Sequence, residues 1–311
     1  MKRFLTLGAA LLIAAAAHGQ GRLAVVDVSA AYLRAKPDYE SPLETQALMG
    51  GVMEVLDSSS YWVKVNLLDP PYTAWVNRLQ IAILNDFEKY AMAPKLVCSS
   101  RYATLFAGPS DKTHVICDLV RGDILLDLGR AKRGFVEVST PGGRKGWVRG
   151  RDLCSPNKLD GSAESVVEEA LSYLGTPYLW GGSCVKGFDC SGLVRQVYFM
   201  AGVLLPRNAS EQLLCGDRVD VSKVLSGNLE NLEKGDLLFF GNPETGRVSH
   251  VAIYVGDGHI VHSSMVVRDN SLIKGSEDYY ENSWRLLYGR RIFCPDMESK
   301  GIALLKNSPL Y

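Results

Sequence analysis

Over residues 21–155 the apolar side chains come in short alternating runs, broken every few positions by Gly, Pro, Asp and Ser. Alternation of this kind predicts short antiparallel strands joined by tight turns, as in small barrels. The runs also repeat. "YLRAKPD" at 32–38 is echoed by "TLFAGPS" at 104–110, and "GGVMEVL" at 50–56 by "RGDILLDL" at 121–128. "YWVKV" at 61–65 is echoed by "GFVEV" at 134–138, and "AWVNRLQI" at 74–81 by "GWVRGRDL" at 146–153, at an offset of about 72 throughout. Two small barrels in tandem are expected, with a single sandwich of both halves as the alternative. Trp62, Trp75 and Trp147 read as core residues of these barrels.

Beyond the polar linker "CSPNKLDGS" at 154–162 the period changes. Val166, Val167, Ala170, Leu171 and Leu174 fall on one face of a helix. Ser162 or Ser165 can cap it, Ser165 and Glu168 have capping-box spacing, and Gly175, Thr176 and Pro177 stop it. A second helix is predicted over "CSGLVRQVYFMAG", with Leu193, Val194, Val197, Tyr198 and Ala201 facing inward and Gly202 ending it. "GDLLFFG" at 235–241 reads as a buried strand, and "SHVAIYVGDGHIVHSS" at 249–264 as a hairpin around Asp257 and Gly258. Helices followed by a meander of strands indicate an α+β domain.

The 311 residues carry 34 basic and 34 acidic side chains and no basic block, so nucleic acid is not an expected partner. Lys2 and Arg3 precede the apolar stretch at 4–17, which is shorter than the ~20 residues a bilayer span needs. With "HGQ" after it, this pattern reads as a secretory signal peptide cut after Gln20. No later segment reads as a membrane span. The expected product is an exported protein, periplasmic or secreted, and a monomer. The expected organisation is 1–20 signal peptide, 21–92 first barrel, 93–155 second barrel and 156–311 the α+β domain.

Export makes the seven cysteines informative, because an odd number leaves at least one unpaired within the chain. Cys190 stands out. Asp189 is a good N-cap, which puts Cys190 in the first helical turn, where free N–H groups and the positive dipole end favour a thiolate. The same N–H groups can hold an oxyanion. A base must complete such a site. His250 and His262 sit on the two arms of the hairpin, and the turn decides whether they meet. A two-residue turn at Asp257 and Gly258 puts them on opposite faces. A three-residue loop, 256–258, pairs Val255 with His259 and makes His262 a diagonal neighbour of His250 on one face. The three-residue loop is expected, giving Cys190 as nucleophile, His250 as base and His262 as the group that orients it. A zinc set of one cysteine and two histidines is the alternative, but spacings of 60 and then 12 lack a local ligand pair.

The order "GTPYLWGG", "FDCSGLV", "LPRNASEQ", "GDLLFF" and "HVAIYVGDGHIVH" resembles the NlpC/p60 family of bacterial cell-wall cysteine peptidases over about 120 residues, 170–290. The leading strand patterns are similar to bacterial SH3-like barrels. The resemblance implies an α+β architecture of two small SH3-like β-barrels followed by a papain-like NlpC/p60 domain. It implies hydrolysis of the γ-D-glutamyl-L-diamino acid bond of murein stem peptides with a free N-terminal L-alanine, without cofactor or metal. By the same resemblance Tyr178 lines the active site, and Asp189 and Ser191 border the substrate groove. Asp189 would offer a carboxylate to the alanine ammonium, and Tyr72 with Glu44 or Glu40 of the first barrel would join that recognition. Relatives often read Arg-x-Ser after the catalytic helix. Here Arg207 is followed by Asn208 and Ala209, so Ser210 would take over the serine contact. Trp180 reads as a packing residue. A thiol amidase or acyltransferase on a related fold, and a murein-binding protein with an inactive catalytic domain, are the alternative functions.

Overall fold

A computed structural model describes residues 21–159 and 161–311. The expected signal peptide lies outside the described residues. The chain divides into two compact units, one running to Lys158 and including Leu305–Tyr311, the other Leu159–Leu304. The last seven residues therefore group with the barrels and not with the catalytic unit to which the sequence reading gave them. Within the first unit the Tyr311 hydroxyl donates to Asp69 Oδ2 at 2.7 Å, and Leu310 is buried beside Val25, Val52 and Tyr90.

The first unit holds two seven-stranded sheets. The first is built from β1 (Arg22–Val26), β2 (Ala30–Arg34), β3 (Leu43–Leu48), β4 (Val52–Ser59), β5 (Trp62–Leu68), β6 (Pro71–Asn77) and β7 (Ile81–Leu84). A short helix α1 (Phe87–Met92) leads to β8 (Lys95–Cys98), β9 (Tyr102–Phe106), β10 (Val115–Val120), β11 (Ile124–Lys132), β12 (Phe135–Ser139), β13 (Lys145–Arg149) and β14 (Leu153–Cys154). Strand order is β3-β2-β6-β5-β4-β1-β7 in one and β10-β9-β13-β12-β11-β8-β14 in the other, the same order shifted by seven strands. The repeat is thus a repeat of fold: two SH3-like barrels, each with its own apolar cluster, around Met53, Val65 and Val76 in the first and Leu105, Leu125 and Val148 in the second. Met49, on the turn after β3, is buried in the second barrel's cluster. The buried Asp123 carboxylate accepts the N–H groups of Met49 (3.1 Å) and Val120 (2.8 Å), so its desolvation is offset by hydrogen bonds at the same junction.

The second unit begins with α2 (Ala163–Ser172), capped by Ser162, whose partner in the capping box is the Ser165 side chain. Val166, Val167 and Ala170 are buried, but Leu171 and Leu174 are exposed. Tyr173 is the fully buried residue at that end. The short strands β15 (Ser183–Cys184) and β16 (Gly187–Phe188) lead into α3 (Cys190–Met200), where all the residues predicted to face inward are buried. After β17 (Val203–Leu204) and the single-turn α4 (Ala209–Gln212) come β18 (Asp217–Val219), β19 (Leu237–Gly241), β20 (Val248–Gly256), β21 (His259–Ser264), β22 (Val266–Ser271) and β23 (Leu286–Arg291). These six form an antiparallel sheet, order β18-β23-β19-β20-β21-β22, and a last strand β24 (Ala303–Leu304) pairs with β17. Strand β19 is buried along its whole length, as its unbroken apolar run requires of a central strand.

The β20–β21 turn corrects the sequence expectation in detail. Gly256 pairs with His259, so the turn has two residues, Asp257 (φ 51°) and Gly258 (φ 82°), both left-handed as a type I′ turn demands. The extra residue lies in the strand instead: the register shifts between Tyr254 and Gly256, leaving Val255 as a bulge. From Tyr254 inward the pairing is Ile253 with Val261, which sets His262 across from Ala252 and diagonal to His250.

Candidate active site

Asp189 caps α3, its side chain accepting the Gly192 N–H, so Cys190 occupies the first helical position. Gly192 has a packing reason to be glycine. A Cβ there would lie 2.0 Å from the Gly182 carbonyl oxygen, so only a bare Cα lets the helix start sit this close to the turn before it. The seven cysteines are all free, and Cys190 is partly exposed. Its sulfur accepts the backbone N–H groups of Ser191 and Val251. The second bond pins the thiol to β20 at the residue next to His250.

His250 and His262 meet as the register dictates. Nε2 of His250 lies 2.7 Å from Nδ1 of His262, with the rings edge-to-face at 5.0 Å between centroids. His262 is fully buried, and its Nε2 lies 2.9 Å from Asn270 Oδ1 on β22. Asn270 in turn donates from Nδ2 to the Asp278 carbonyl at 2.8 Å. The Tyr280 ring stands edge-on against His262 at 4.8 Å and tilted against His250 at 6.4 Å, closing the apolar side of the pair. Asn270 and Tyr280 were not singled out from the sequence. Strand β22 reads VVRDNS, without apolar alternation, and Tyr280 precedes a short 3₁₀ turn, so neither carried a periodic signal.

Charge at the site differs from what the helix start alone suggests. Burial pushes the Cys190 thiol up to about 11, and the Asp189 carboxylate adds to the rise. The two N–H bonds and the Arg207 guanidinium pull the other way without overcoming them. Burial pushes His250 down to about 3, assisted by His262, Arg268 and Arg285. His262 goes to about 4, again by burial, with the Asn270 bond opposing. The resting pair is therefore a neutral thiol and a neutral imidazole. A raised thiol pKa means that the thiolate fraction climbs about tenfold per pH unit through neutrality. Alkylation of Cys190 by iodoacetamide, read by peptide mass spectrometry, is expected to rise steadily from pH 6 into the alkaline range. A rate already flat between pH 5 and 8 would reveal a resting ion pair instead. The Tyr178 hydroxyl is likewise raised, to about 12, by burial first and then by the Cys190 and Asp189 charges, so it stays a neutral donor near the sulfur.

Several expected substrate contacts are occupied otherwise. Asp189 Oδ1 accepts from Gly192 N–H (2.7 Å), Arg207 Nη1 (3.0 Å) and the Ser191 hydroxyl (3.3 Å). Its Oδ2 accepts from Gly181 N–H (3.0 Å) and Arg207 Nη2. A carboxylate with these partners has no spare lone pair for a substrate ammonium. This corrects the expectation for Asp189. Arg207 is only 3% exposed and is committed to Asp189 and to the Ser191 oxygen at 2.9 Å, so it braces the start of α3 and offers no free charge to a ligand. Ser191 is buried in the same network, with its carbonyl accepting from Gln212 Nε2 at 3.0 Å. Ser210 is exposed on α4. Trp180 is 69% exposed and does not pack as expected. In the first barrel, within its own unit, the Tyr72 hydroxyl donates to Glu44 Oε2 at 2.7 Å, whereas Glu40 is exposed on a turn.

A thiol at the start of a helix packed on β20, the strand that carries one imidazole backed by a second, supplies the groups that forming and breaking an acyl–sulfur bond require. Comparison with known proteins agrees. The NlpC/P60 family matches residues 175–286, and the family described as the bacterial dipeptidyl-peptidase Sh3 domain matches residues 33–81. The chain is 32% identical over 243 residues to the gamma-D-glutamyl-L-lysine dipeptidyl-peptidase of Bacillus cereus, an alignment covering 74% of this chain and 70% of that protein. It is 29% identical over 250 residues to the protein of the same name from Bacillus subtilis, covering 78% and 79%. The crystal structure of an NlpC/P60 family protein from Bacillus cereus aligns with a TM-score of 0.74 at 28% identity, over 86% of this chain and 99% of that one. With SH3-like barrels ahead of a thiol and two imidazoles on an α+β scaffold, the chain belongs to the NlpC/P60 family and is a cysteine peptidase.

Proposed function

We propose that the protein hydrolyses the γ-D-glutamyl-L-diamino acid bond of peptidoglycan stem peptides that carry a free N-terminal L-alanine, releasing L-Ala-γ-D-Glu. The observation that carries this is the 2.7 Å bond between the two imidazoles beside a helix-held thiol, in a chain whose relatives are named dipeptidyl-peptidases. In the first step His250 takes the thiol proton as sulfur attacks the γ-carbonyl carbon. The oxyanion is met by the Cys190 N–H and the Tyr178 hydroxyl. His250 then protonates the departing α-amine of the diamino acid, leaving a thioester. In the second step His250 takes a proton from water, hydroxide adds to the thioester, and the dipeptide leaves as the thiol is re-formed.

Asp189 is fully paired within its own unit and is not assigned to the alanine ammonium. The leader-like residues 1–20 and the nature of the substrate support action outside the cytoplasm. Among the described residues no helix is long and apolar enough to cross a membrane. Mass spectrometry of products from synthetic L-Ala-γ-D-Glu-L-diamino acid peptides, free and N-acetylated, is the test. Dipeptide release from the free peptide alone is expected. Equal cleavage of both removes the amine requirement, and cleavage of neither removes the proposed bond.

A further inference from the structure

Two neutral imidazoles in series can share their protons in two ways. In one, His250 donates from Nε2 to Nδ1 of His262, and His250 Nδ1 is bare. In the other, His262 donates from Nδ1, and the nitrogen of His250 left for the thiol already carries a proton and cannot act as base. The ring contact alone, 2.7 Å between Nε2 and Nδ1, fits both. The next link separates them. The Asp278 carbonyl is only an acceptor, so the Asn270 atom 2.8 Å from it must be the amide nitrogen. That turns Asn270 Oδ1, also only an acceptor, toward His262 Nε2 at 2.9 Å. His262 must then carry its proton on Nε2. With its charged form disfavoured by burial, it has none on Nδ1. His250 therefore donates from Nε2, and its Nδ1 is the free base.

We propose that Asn270 is a positioning residue of the catalytic relay: anchored by the Asp278 carbonyl, it fixes the tautomers of His262 and His250 and so keeps His250 Nδ1 bare for the Cys190 proton. This rests on the assignment of Cys190 and His250 above and adds a fourth member to it. Its logic is that of a carboxylate behind a catalytic imidazole, performed by a neutral amide. The neutrality suits the surroundings. The charged and titratable groups facing the imidazole pair are Arg268 and Asp269 on β22, Arg285 on the turn before β23, Tyr280, and Cys190 on α3. The amide holds the tautomer without adding a charge to them.

Asn270→Ala and Asn270→Asp in the full chain test the proposal. The alanine variant loses the acceptor, and kcat is expected to fall on the order of 10²-fold with KM little changed. The aspartate variant keeps an acceptor for His262 Nε2–H and adds a negative charge that favours imidazolium. It should recover much of the rate, with the acid limb of kcat/KM moved to higher pH. A side chain that merely anchors the 278 turn would give equal losses in both variants with the acid limb unmoved, and that result overturns the proposal, as does an alanine variant with wild-type kcat. Nitrogen NMR of ¹⁵N-histidine-labelled wild-type protein needs no substrate: protonated Nε2 with bare Nδ1 is expected on both rings. A proton on His262 Nδ1 sinks the tautomer assignment whatever the substrate proves to be.

Discussion

Arg207→Met is expected to destabilise the catalytic unit by about 3–5 kcal/mol, because it strands a buried carboxylate beside a neutral side chain. Asp189 and Arg207 have side chains 12% and 3% exposed and share two hydrogen bonds, and the same carboxylate caps the helix that bears Cys190. In a unit of this size such a loss lowers the melting temperature by on the order of 10 °C, readable by calorimetry. Adding Asp189→Asn removes the stranded charge while keeping an oxygen for the Gly192 N–H, so the double variant should be more stable than Arg207→Met alone. Arg207→Lys should not rescue, since an ammonium cannot serve both carboxylate oxygens and the Ser191 hydroxyl in one plane. Melting of Arg207→Met within about 1 °C of the wild type would mean that the pair is not a structural support.

Cys190→Ala is expected to lower kcat/KM for the free stem peptide by on the order of 10⁴-fold or more, with the fold intact. His250→Ala should lose nearly as much, and the double variant little more, since nucleophile and base act as one device. Additive losses would show that the two groups serve separate steps. Substantial turnover by Cys190→Ala would remove covalent catalysis altogether. Binding of the free stem peptide to Cys190→Ala, which cannot turn it over, separates recognition from chemistry, because neither Cys190 nor His250 is assigned to the alanine end.

Much of this arrangement was legible in the chain. The repeat at an offset of about 72 reappears as identical strand order in two sheets, because turn residues and alternation recur together. Cys190 behind an N-capping Asp189 could be read locally, since capping depends on neighbours a few residues apart. What was not legible depended on distant partners. The thiol's raised pKa comes from burial, which the backbone N–H groups of Val251 and Ser191 only partly oppose. The withdrawal of Asp189 from ligand duty comes from Arg207, 18 residues on. Asn270 sits on a polar strand whose register only the folded sheet reveals, and Leu171 and Leu174 continue a helical stripe past the point where the core ends. The histidine pair was reached by correct parity with the wrong placement of the odd residue, since one extra residue in the loop or in the strand turns the side chains the same way.

That parity limits what the hairpin tolerates. Between His250 and His262 the bulge takes up the odd residue: with Gly256 still opposite His259, removing Val255 would leave Tyr254 opposite Ile260 and His262 opposite Ala252, so both imidazoles would stay on one side of the sheet. What the pair does not tolerate is a bulge-free ribbon of the present length, in which Gly256 opposite His259 would bring Ile253 opposite His262 and turn His250 to the reverse side.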